Sequence, residues 1–229
     1  MLYHPNLIAS LPLQNDSAVD ESGMGNNGVV QGTASYVSMG SFGRGVDMPG
    51  TFGNNFYIPD SASTSIGGAQ SFSATIILDA LGSGATIASK VVFSGAPPRL
   101  SGILNDWLFY VNSSNVLCLK IYDSAGVAYI GRSGGTISTG TYYTVEWSYD
   151  NSGTNGGIKL FINGGRSDTA DLSSGTFVGR SSNSAGNTYI GFGDGGSMDG
   201  RATRPTLWNK CLADTDMARL AIGLHPISS

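Results

Sequence analysis

Short runs of alternating apolar and polar residues recur along nearly the whole chain, separated by glycine, asparagine, serine and aspartate. The clearest run is residues 143–149, where aromatic residues and valine at the odd positions alternate with Thr144, Glu146 and Ser148. Because successive side chains of a β-strand point to opposite faces, this run predicts a strand with an aromatic face in the core. Many such short strands between turn residues are typical of an antiparallel β-sandwich.

The other alternating runs predict strands at residues 72–78, 86–90, 107–111, 116–122, 158–162, 188–192 and 205–208. After one of them, the Asn163-Gly164 step suits the positive φ angles of a type I′ hairpin turn. Only residues 214–223 have a helical pattern, with aspartates in the first turn and a glycine at the end. The predicted fold class is therefore all-β, an antiparallel β-sandwich with one short C-terminal helix.

No long linker divides the sequence, so we expect one sandwich domain over residues 20–229. Residues 1–19 form an N-terminal segment with several apolar positions up to Leu13, and we expect it to pack on the domain or on a neighbouring subunit. The first residues lack the cationic and continuous apolar regions of a secretory signal.

Composition excludes several classes of protein. Only 12% of the residues are charged and 34 of 229 are glycine, which argues against a coiled coil or a helical bundle. The net charge is −4 and the 12 basic residues are dispersed, so nucleic acid is not an expected partner. No apolar run approaches the ~20 residues that span a bilayer, so membrane insertion is not expected. The two cysteines predict buried thiols rather than a disulfide framework.

Short motifs recur in a fixed order along residues 20–220: 21–28 (ESGMGNNG), 40–47 (GSFGRGVD), 72–76 (FSATI), 86–90 (TIASK), 143–150 (YTVEWSYD), 159–164 (KLFING), 189–191 (YIG), 198–200 (MDG) and 207–212 (LWNKCL). In these motifs and their order the chain resembles the laminin-G-like, concanavalin-A-like jelly-roll family of lectins and glucanases, which occurs in bacterial surface, extracellular and phage proteins. The resemblance implies a jelly-roll sandwich.

Catalysis is not expected, and no catalytic residue is assigned. Glucanases with this sandwich need clustered carboxylates, because a nucleophile and a general acid must flank the scissile bond. The chain has only two glutamates, Glu21 and Glu146. A strand spacing of four puts Glu146 and Asp150 roughly 13 Å apart, too far for either hydrolytic geometry. We expect Glu146 to face solvent.

No cofactor is assigned, but the resemblance makes calcium a candidate, since many relatives bind it with carboxylate and backbone oxygens. The candidate ligands are Asp20 and Asn26 in the early turn and Asp194 and Asp199 before the final strand. Arg204 follows this second group where the family carries aspartates, which disfavours calcium there. Turn formation is the alternative explanation for all four residues.

Glycans are the other candidate ligands. Sugars combine apolar faces with many hydroxyls, so aromatic and amide side chains on loops suit them. The candidate glycan-binding residues are Trp107, Asn105, Asp106, Tyr129, Asn183 and Asn187. Core packing is the alternative for Trp107.

The sequence favours a non-enzymatic attachment or structural module, an outer component of a phage virion that decorates the capsid or sits in the tail or fibre, with weak glycan adhesion. We expect virion or surface proteins as partners, in a homo-oligomer or larger assembly, on the virion surface. The first alternative is a secreted or cell-surface lectin-like domain, and the second and weakest is a glycoside hydrolase.

Overall fold

The computed structural model of the protein describes residues 4–81, 84–93, 103–180, 186–224 and 226. In these residues the chain forms sixteen β-strands and one α-helix, α1 (Asp214–Ala221). The strands are β1 (Leu7–Ser10), β2 (Val29–Gln31), β3 (Ser35–Ser38), β4 (Arg44–Pro49), β5 (Asn55–Ile58), β6 (Gln70–Ala80), β7 (Gly84–Phe93), β8 (Ile103–Asn112), β9 (Val116–Tyr122), β10 (Tyr129–Thr136), β11 (Tyr142–Tyr149), β12 (Ile158–Ile162), β13 (Gly165–Arg166), β14 (Ala170–Asp171), β15 (Asn187–Ile190) and β16 (Asp199–Trp208).

The strands form two eight-stranded antiparallel sheets. Sheet I has the order β13-β12-β11-β6-β16-β4-β3, and β1 also pairs with β16. Sheet II has the order β14-β10-β9-β8-β7-β15-β5-β2. The N-terminal segment thus contributes a strand to sheet I, and the predicted antiparallel sandwich with one C-terminal helix is confirmed.

The main core lies between the two sheets. Val145, Trp147 and Tyr149 of β11 are completely buried there, as the alternation predicted. Sheet II contributes Trp107 and Phe109 of β8 to the same cluster. This packing buries apolar surface of both sheets, which stabilises a sandwich.

A second, smaller apolar cluster lies on the outer face of sheet I, beneath α1. It consists of Leu7, Phe161, Trp208, Leu212 and Met217. The Asn163-Gly164 turn has φ angles of 52° and 76°, as a type I′ turn requires. A Cβ on Gly164 would lie 2.9 Å from Ala218 Cα, so the absence of a side chain lets the helix approach the turn closely.

Glu146 lies on this covered face and does not face solvent, so the expectation of an exposed strand glutamate is wrong. Its side chain is completely buried. Period-two alternation separates the two faces of a strand, but it does not reveal that a helix covers the second face.

The helix ends at Ala221, two residues before the predicted end, and Gly223 follows with φ of 76°. Both cysteines are free thiols, Cys118 buried and Cys211 half-buried. In the part of the chain that the structure describes, no helix is long and apolar enough to span a membrane.

Candidate functional site

Small hydroxyl side chains cover the outer face of the three central strands of sheet I. In the register of β11, β6 and β16, Thr144 lies opposite Thr75, which lies opposite Thr203. In the next row, Glu146 lies opposite Ser73, which lies opposite Thr206. Alternation places these residues on one face, so hydroxyl groups form a polar floor.

A β-bulge interrupts this floor on β16. The pairing with β6 shifts between Thr203 and Thr206, and Arg204 and Pro205 are the residues in between. At the bulge, β16 changes its other neighbour from β4 to β1. Arg204 has φ of 51°, which is rare for a non-glycine residue. Bulges bend a strand locally and re-aim a side chain, and Arg204 is exposed here.

Two walls rise beside the floor. One wall comes from the end of α1 and the residues after it, including Leu220, Ile222 and Leu224. The opposite wall comes from the N-terminal segment and the 3-10 turn Gly40–Phe42. Phe42 packs against Tyr142 with ring centroids 5.1 Å apart, which holds this aromatic ring at the edge.

The floor and walls enclose an open cavity of about 780 Å³, which we call the hydroxyl groove. Its described lining residues are Leu7, Ser10, Pro12, Gln14, Glu21, Gly40, Ser41, Phe42, Gly43, Ser73, Thr75, Thr144, Arg204, Thr206, Trp208, Leu220, Ala221, Ile222, Gly223 and Leu224. A volume of this size falls in the ~300–1,000 Å³ range of small-molecule sites.

The hydrogen-bonding capacity of the floor is only partly used. Thr75 and Thr144 share a hydrogen bond of 3.0 Å between their hydroxyl oxygens. The hydroxyl of Thr206 is buried and has no hydrogen-bond partner among the described residues. Because buried polar atoms normally find a partner, this hydroxyl leaves hydrogen-bonding capacity in the floor unused.

Glu146 lies beside Ser73, on the same outer face of sheet I, in a part of that face that the protein covers. Burial raises the pKa of Glu146 to about 8, and the nearby Ser73 hydroxyl and Gly164 backbone offset only part of this effect. Neither carboxyl oxygen makes a hydrogen bond of normal geometry to a described residue. Near neutral pH this group is therefore mainly a neutral carboxylic acid.

The structure places predicted glycan-binding residue Trp107 in the main core, so its assignment to a glycan surface is wrong. Its side chain is completely buried and packs edge to face on Trp147. An inward-facing position on β8 cannot offer a ring face to a sugar in solvent.

Asn105 and Asp106 are also buried, on β8. Asp106 accepts two hydrogen bonds from Arg180, at 2.7 and 2.8 Å, in an ion pair that is almost fully buried. This carboxylate is occupied by the protein itself and is not available to a glycan.

Asn187, at the start of β15, is half-buried, and its side chain makes hydrogen bonds within the protein. It accepts the Asp60 backbone N–H at 3.0 Å and donates to the Tyr189 hydroxyl at 3.2 Å. Asn187 and Asn105 flank Val91 in the register of sheet II. Asn183 lies outside the described residues.

Tyr129 lies on the outer face of sheet II, on the opposite side of the sandwich from the hydroxyl groove. Its ring lies 5.4 Å from the ring of Tyr122, and the Lys120 ammonium lies 4.6 Å from its centroid. Lys120 also lies 5.4 Å from the Tyr110 ring. This cationic and aromatic cluster is a second polar surface.

The predicted early calcium loop is a hydrogen-bonded turn. One oxygen of the Asp20 carboxylate accepts the backbone N–H groups of Ser10 and Ser22, both at 2.9 Å. The other accepts the Ser22 hydroxyl at 2.7 Å and the Asn26 N–H at 2.9 Å. Because N–H and O–H donors surround the carboxylate, Asp20 is not oriented to bind a cation, and this part of the calcium prediction is wrong.

Asn26 likewise uses its side chain within the protein. Its amide donates to the Ile8 carbonyl at 2.7 Å and accepts from Ser61 at 2.8 Å. Of the second pair, Asp194 is exposed and Asp199 is half-buried. Within the described residues, no three histidine, cysteine, aspartate or glutamate side chains group as metal ligands would.

The sequence from residue 49 to 218, about three quarters of the chain, matches the model of the family Laminin_G_3, described as the concanavalin A-like lectin/glucanases superfamily. The chain belongs to this family. No curated protein is significantly similar to this Laminin_G_3 chain in sequence.

Solved structures show the same fold. The binding domain of Paraclostridial Mosquitocidal Protein 1 is 14% identical, with a TM-score of 0.67 over 94% of this chain. The receptor binding domain of botulinum neurotoxin C/D mosaic serotype is also 14% identical, with a TM-score of 0.71 over 95% of this chain. The Laminin_G_3 chain spans only about half of each, 52% and 51%.

A third similar structure is matched over nearly its whole length. Domain 4 of AbnA, an extracellular arabinanase from Geobacillus stearothermophilus, was solved in complex with arabinotriose. It is 20% identical, with a TM-score of 0.60, covering 94% of this chain and 98% of that domain. At these identities the likeness establishes the fold alone.

Sequence reasoning missed the residues of the groove, although one signal was present. The face of β6 and β11 opposite the core carries serine and threonine at Ser71, Ser73, Thr75, Thr144 and Ser148. A fully solvated strand face normally carries more charge, so small hydroxyls on neighbouring strands indicate a polar face that other elements partly cover.

Proposed function

We propose that this jelly-roll domain is a non-enzymatic module that attaches to glycans through the hydroxyl groove. The observation that carries the proposal is the groove itself, about 780 Å³ with a hydroxyl floor and partly apolar walls. Sugars need both kinds of contact, because their hydroxyls require hydrogen-bond partners while their ring C–H faces favour apolar surface.

The arrangement suits binding better than hydrolysis. Glu21 is the one carboxylate among the described lining residues. Glycoside hydrolysis in most families needs two carboxyl groups ~5–9.5 Å apart across the scissile bond. Glu146 lies beside the floor on the same face, but it is buried and does not line the groove. The glycan complex of the similar AbnA domain supports the same class of ligand for this chain.

The test uses a panel of immobilised plant and bacterial oligosaccharides, including arabinotriose, followed by calorimetric titration of each hit. Thr75→Tyr fills the floor, and Phe42→Ala removes the aromatic edge. We expect each variant to weaken binding at least tenfold while its melting temperature shows that it folds. Tyr129→Ala, on the other side of the sandwich, is the matched control and should bind like wild type.

Two results would overturn the proposal. Loss of binding in Tyr129→Ala with normal binding in both groove variants would move the site to sheet II. Absence of binding to every saccharide of the panel would remove the glycan function itself.

The setting of this activity is a further proposal that comes from the sequence. We propose a surface component, either on a phage virion or on a bacterial cell, because attachment to glycans is useful where a particle or cell meets its surroundings. Immunogold labelling of intact particles and of intact cells tests it. Label confined to the cell interior would contradict both settings.

A further inference from the structure

We infer that the hydroxyl groove takes an acidic saccharide, whose anionic group pairs with Arg204. This inference rests on the proposed glycan-binding function and adds the charge of the ligand. Its basis is the backbone position of Arg204, its place in the lining of the groove and the pairing of the other arginines.

The backbone at Arg204 adopts a conformation that its neighbours disfavour. A φ of 51° is left-handed, and the residue also precedes Pro205, which restricts it towards extended conformations. Non-glycine residues in such positions are strained and cluster at functional sites. The bulge thereby holds Arg204 at the groove, where an ordinary strand register would not place it.

The guanidinium of Arg204 has no hydrogen-bond or ion-pair partner among the described residues. Five other arginines each pair with an aspartate, namely Arg44, Arg132, Arg166, Arg180 and Arg201. The chain has a net charge of −4 and therefore has carboxylates enough to pair with its arginines. Arg204, unpaired beside the groove, thus differs from the five paired arginines.

The end of α1 is beside Arg204 but makes no hydrogen bond to it among the described residues. A Cβ on Gly223 would lie 3.3 Å from Nη1, so the guanidinium lies against the residues that follow the helix. The negative end of a helix dipole favours a cation in this position. The absence of a hydrogen bond to the described carbonyls there leaves the donors of the guanidinium free for a ligand.

Arg204 and Glu21 are the charged residues among the described lining of the groove. The nearby Arg44 and Asp16 pair with each other and so nearly cancel. A sugar carboxylate or sulfate would meet the planar donor fork of Arg204, which suits such groups in bidentate geometry. Its hydroxyls would then meet the floor, where Ser73, Thr75 and Thr144 carry hydroxyl groups.

The experiment compares acidic saccharides with their methyl esters, which remove the charge and leave the sugar ring unchanged. The probes are trigalacturonate and 3′-sialyllactose, each with its ester, and arabinotriose as a neutral saccharide. We expect calorimetry to show at least tenfold tighter binding of an acid than of its ester. Arg204→Gln should abolish this preference, and Arg204→Lys should keep part of it.

Two variants separate recognition from folding. Arg204→Gly should be at least as stable as wild type, because glycine adopts positive φ without strain, yet it should lose the preference for acid. Arg201→Gln, on the same strand but paired with Asp47 and Asp79, is the matched control and should keep the preference.

Equal binding of acid and ester, or binding of arabinotriose alone, would overturn this inference and leave the glycan function standing. Failure of all probes and of the wider oligosaccharide panel would overturn both. An acid preference that persists in Arg204→Gln would exclude Arg204 as its source and would also overturn the inference.

Discussion

Trp107 and Trp147 meet edge to face between the two sheets, with ring centroids 5.2 Å apart. Each comes from a central part of its sheet, and both are completely buried. We expect Trp107→Ala to lower the free energy of unfolding by about 3–5 kcal/mol, as large truncations in cores do. Equilibrium denaturation with urea measures this change.

Trp107→Phe should cost less, because it keeps much of the ring volume. It also removes an indole N–H that has no acceptor among the described residues. If Trp107→Ala kept the stability of wild type but lost glycan binding, Trp107 would be a sugar platform and the core assignment would fail.

The buried carboxyl group of Glu146 makes stability depend on pH. Between its usual pKa of 4.5 and its raised pKa of about 8, the folded protein keeps a proton that the unfolded chain releases. The free energy of unfolding should therefore fall as pH rises through this interval, by up to about 1.4 kcal/mol per pH unit from this group.

Glu146→Gln should remove this part of the slope and be more stable than wild type at pH 8. Urea denaturation from pH 5 to 8.5 measures both curves. Glu21→Gln, at an exposed position, is the control and should follow wild type. Parallel curves for wild type and Glu146→Gln would show that the carboxyl is ionised in the folded protein.

The Asp20 carboxylate anchors the early turn to β1. The substitution Asp20→Asn turns one acceptor oxygen into a donor that faces N–H groups. We expect this change to lower the free energy of unfolding by about 3 kcal/mol, the loss typical of hydrogen bonds to a charged group.

Thermal melts in calcium and in chelator test whether calcium contributes to this turn. The melting temperature of wild type should be the same in both conditions. Asp194→Asn, at an exposed position, should melt like wild type. A chelator-sensitive melting temperature that Asp20→Asn abolishes would restore Asp20 as a calcium ligand.

The Asp106–Arg180 pair is almost fully buried, and Arg180 also donates to Gln70 at 2.6 Å. Removing one partner leaves a buried charge without compensation, so Arg180→Met should cost about 3–5 kcal/mol. The double variant with Asp106→Leu should recover a large part of that loss. A double-mutant cycle on unfolding free energies measures the coupling, and strict additivity would show that the two side chains do not interact.

The fold followed from the sequence because its signals are local. The alternation in residues 143–149 placed Trp147 and Tyr149 in the core, and the Asn163-Gly164 step specified its turn. Both signals depend on strand geometry and backbone sterics within a few residues. The helix was also predicted from local signals, and its observed end, Ala221, lies two residues before the predicted end.

The site depends on contacts between distant parts of the chain. The polar character of Ser73, Thr75 and Thr144 is visible in the sequence, but their position between two walls follows from the packing of α1 and β1. The conformation of Arg204 follows from the change of neighbours along β16, which no local pattern encodes. The position of Trp107 could not be predicted from its residue type, because an aromatic side chain suits a glycan-binding surface and a hydrophobic core equally well.

One wall of the hydroxyl groove comes from the N-terminal part of the described chain and the other from its C-terminal part. The floor comes from β6, β11 and β16, which lie between these two parts in the sequence. During synthesis the wall that contains Ile222 and Leu224 is made after all three floor strands. A nascent or clipped chain that stops at Trp208 would carry the floor and the N-terminal wall but would lack the C-terminal wall. A chain cut there therefore lacks Leu220, Ile222 and Leu224, which form one side of the hydroxyl groove.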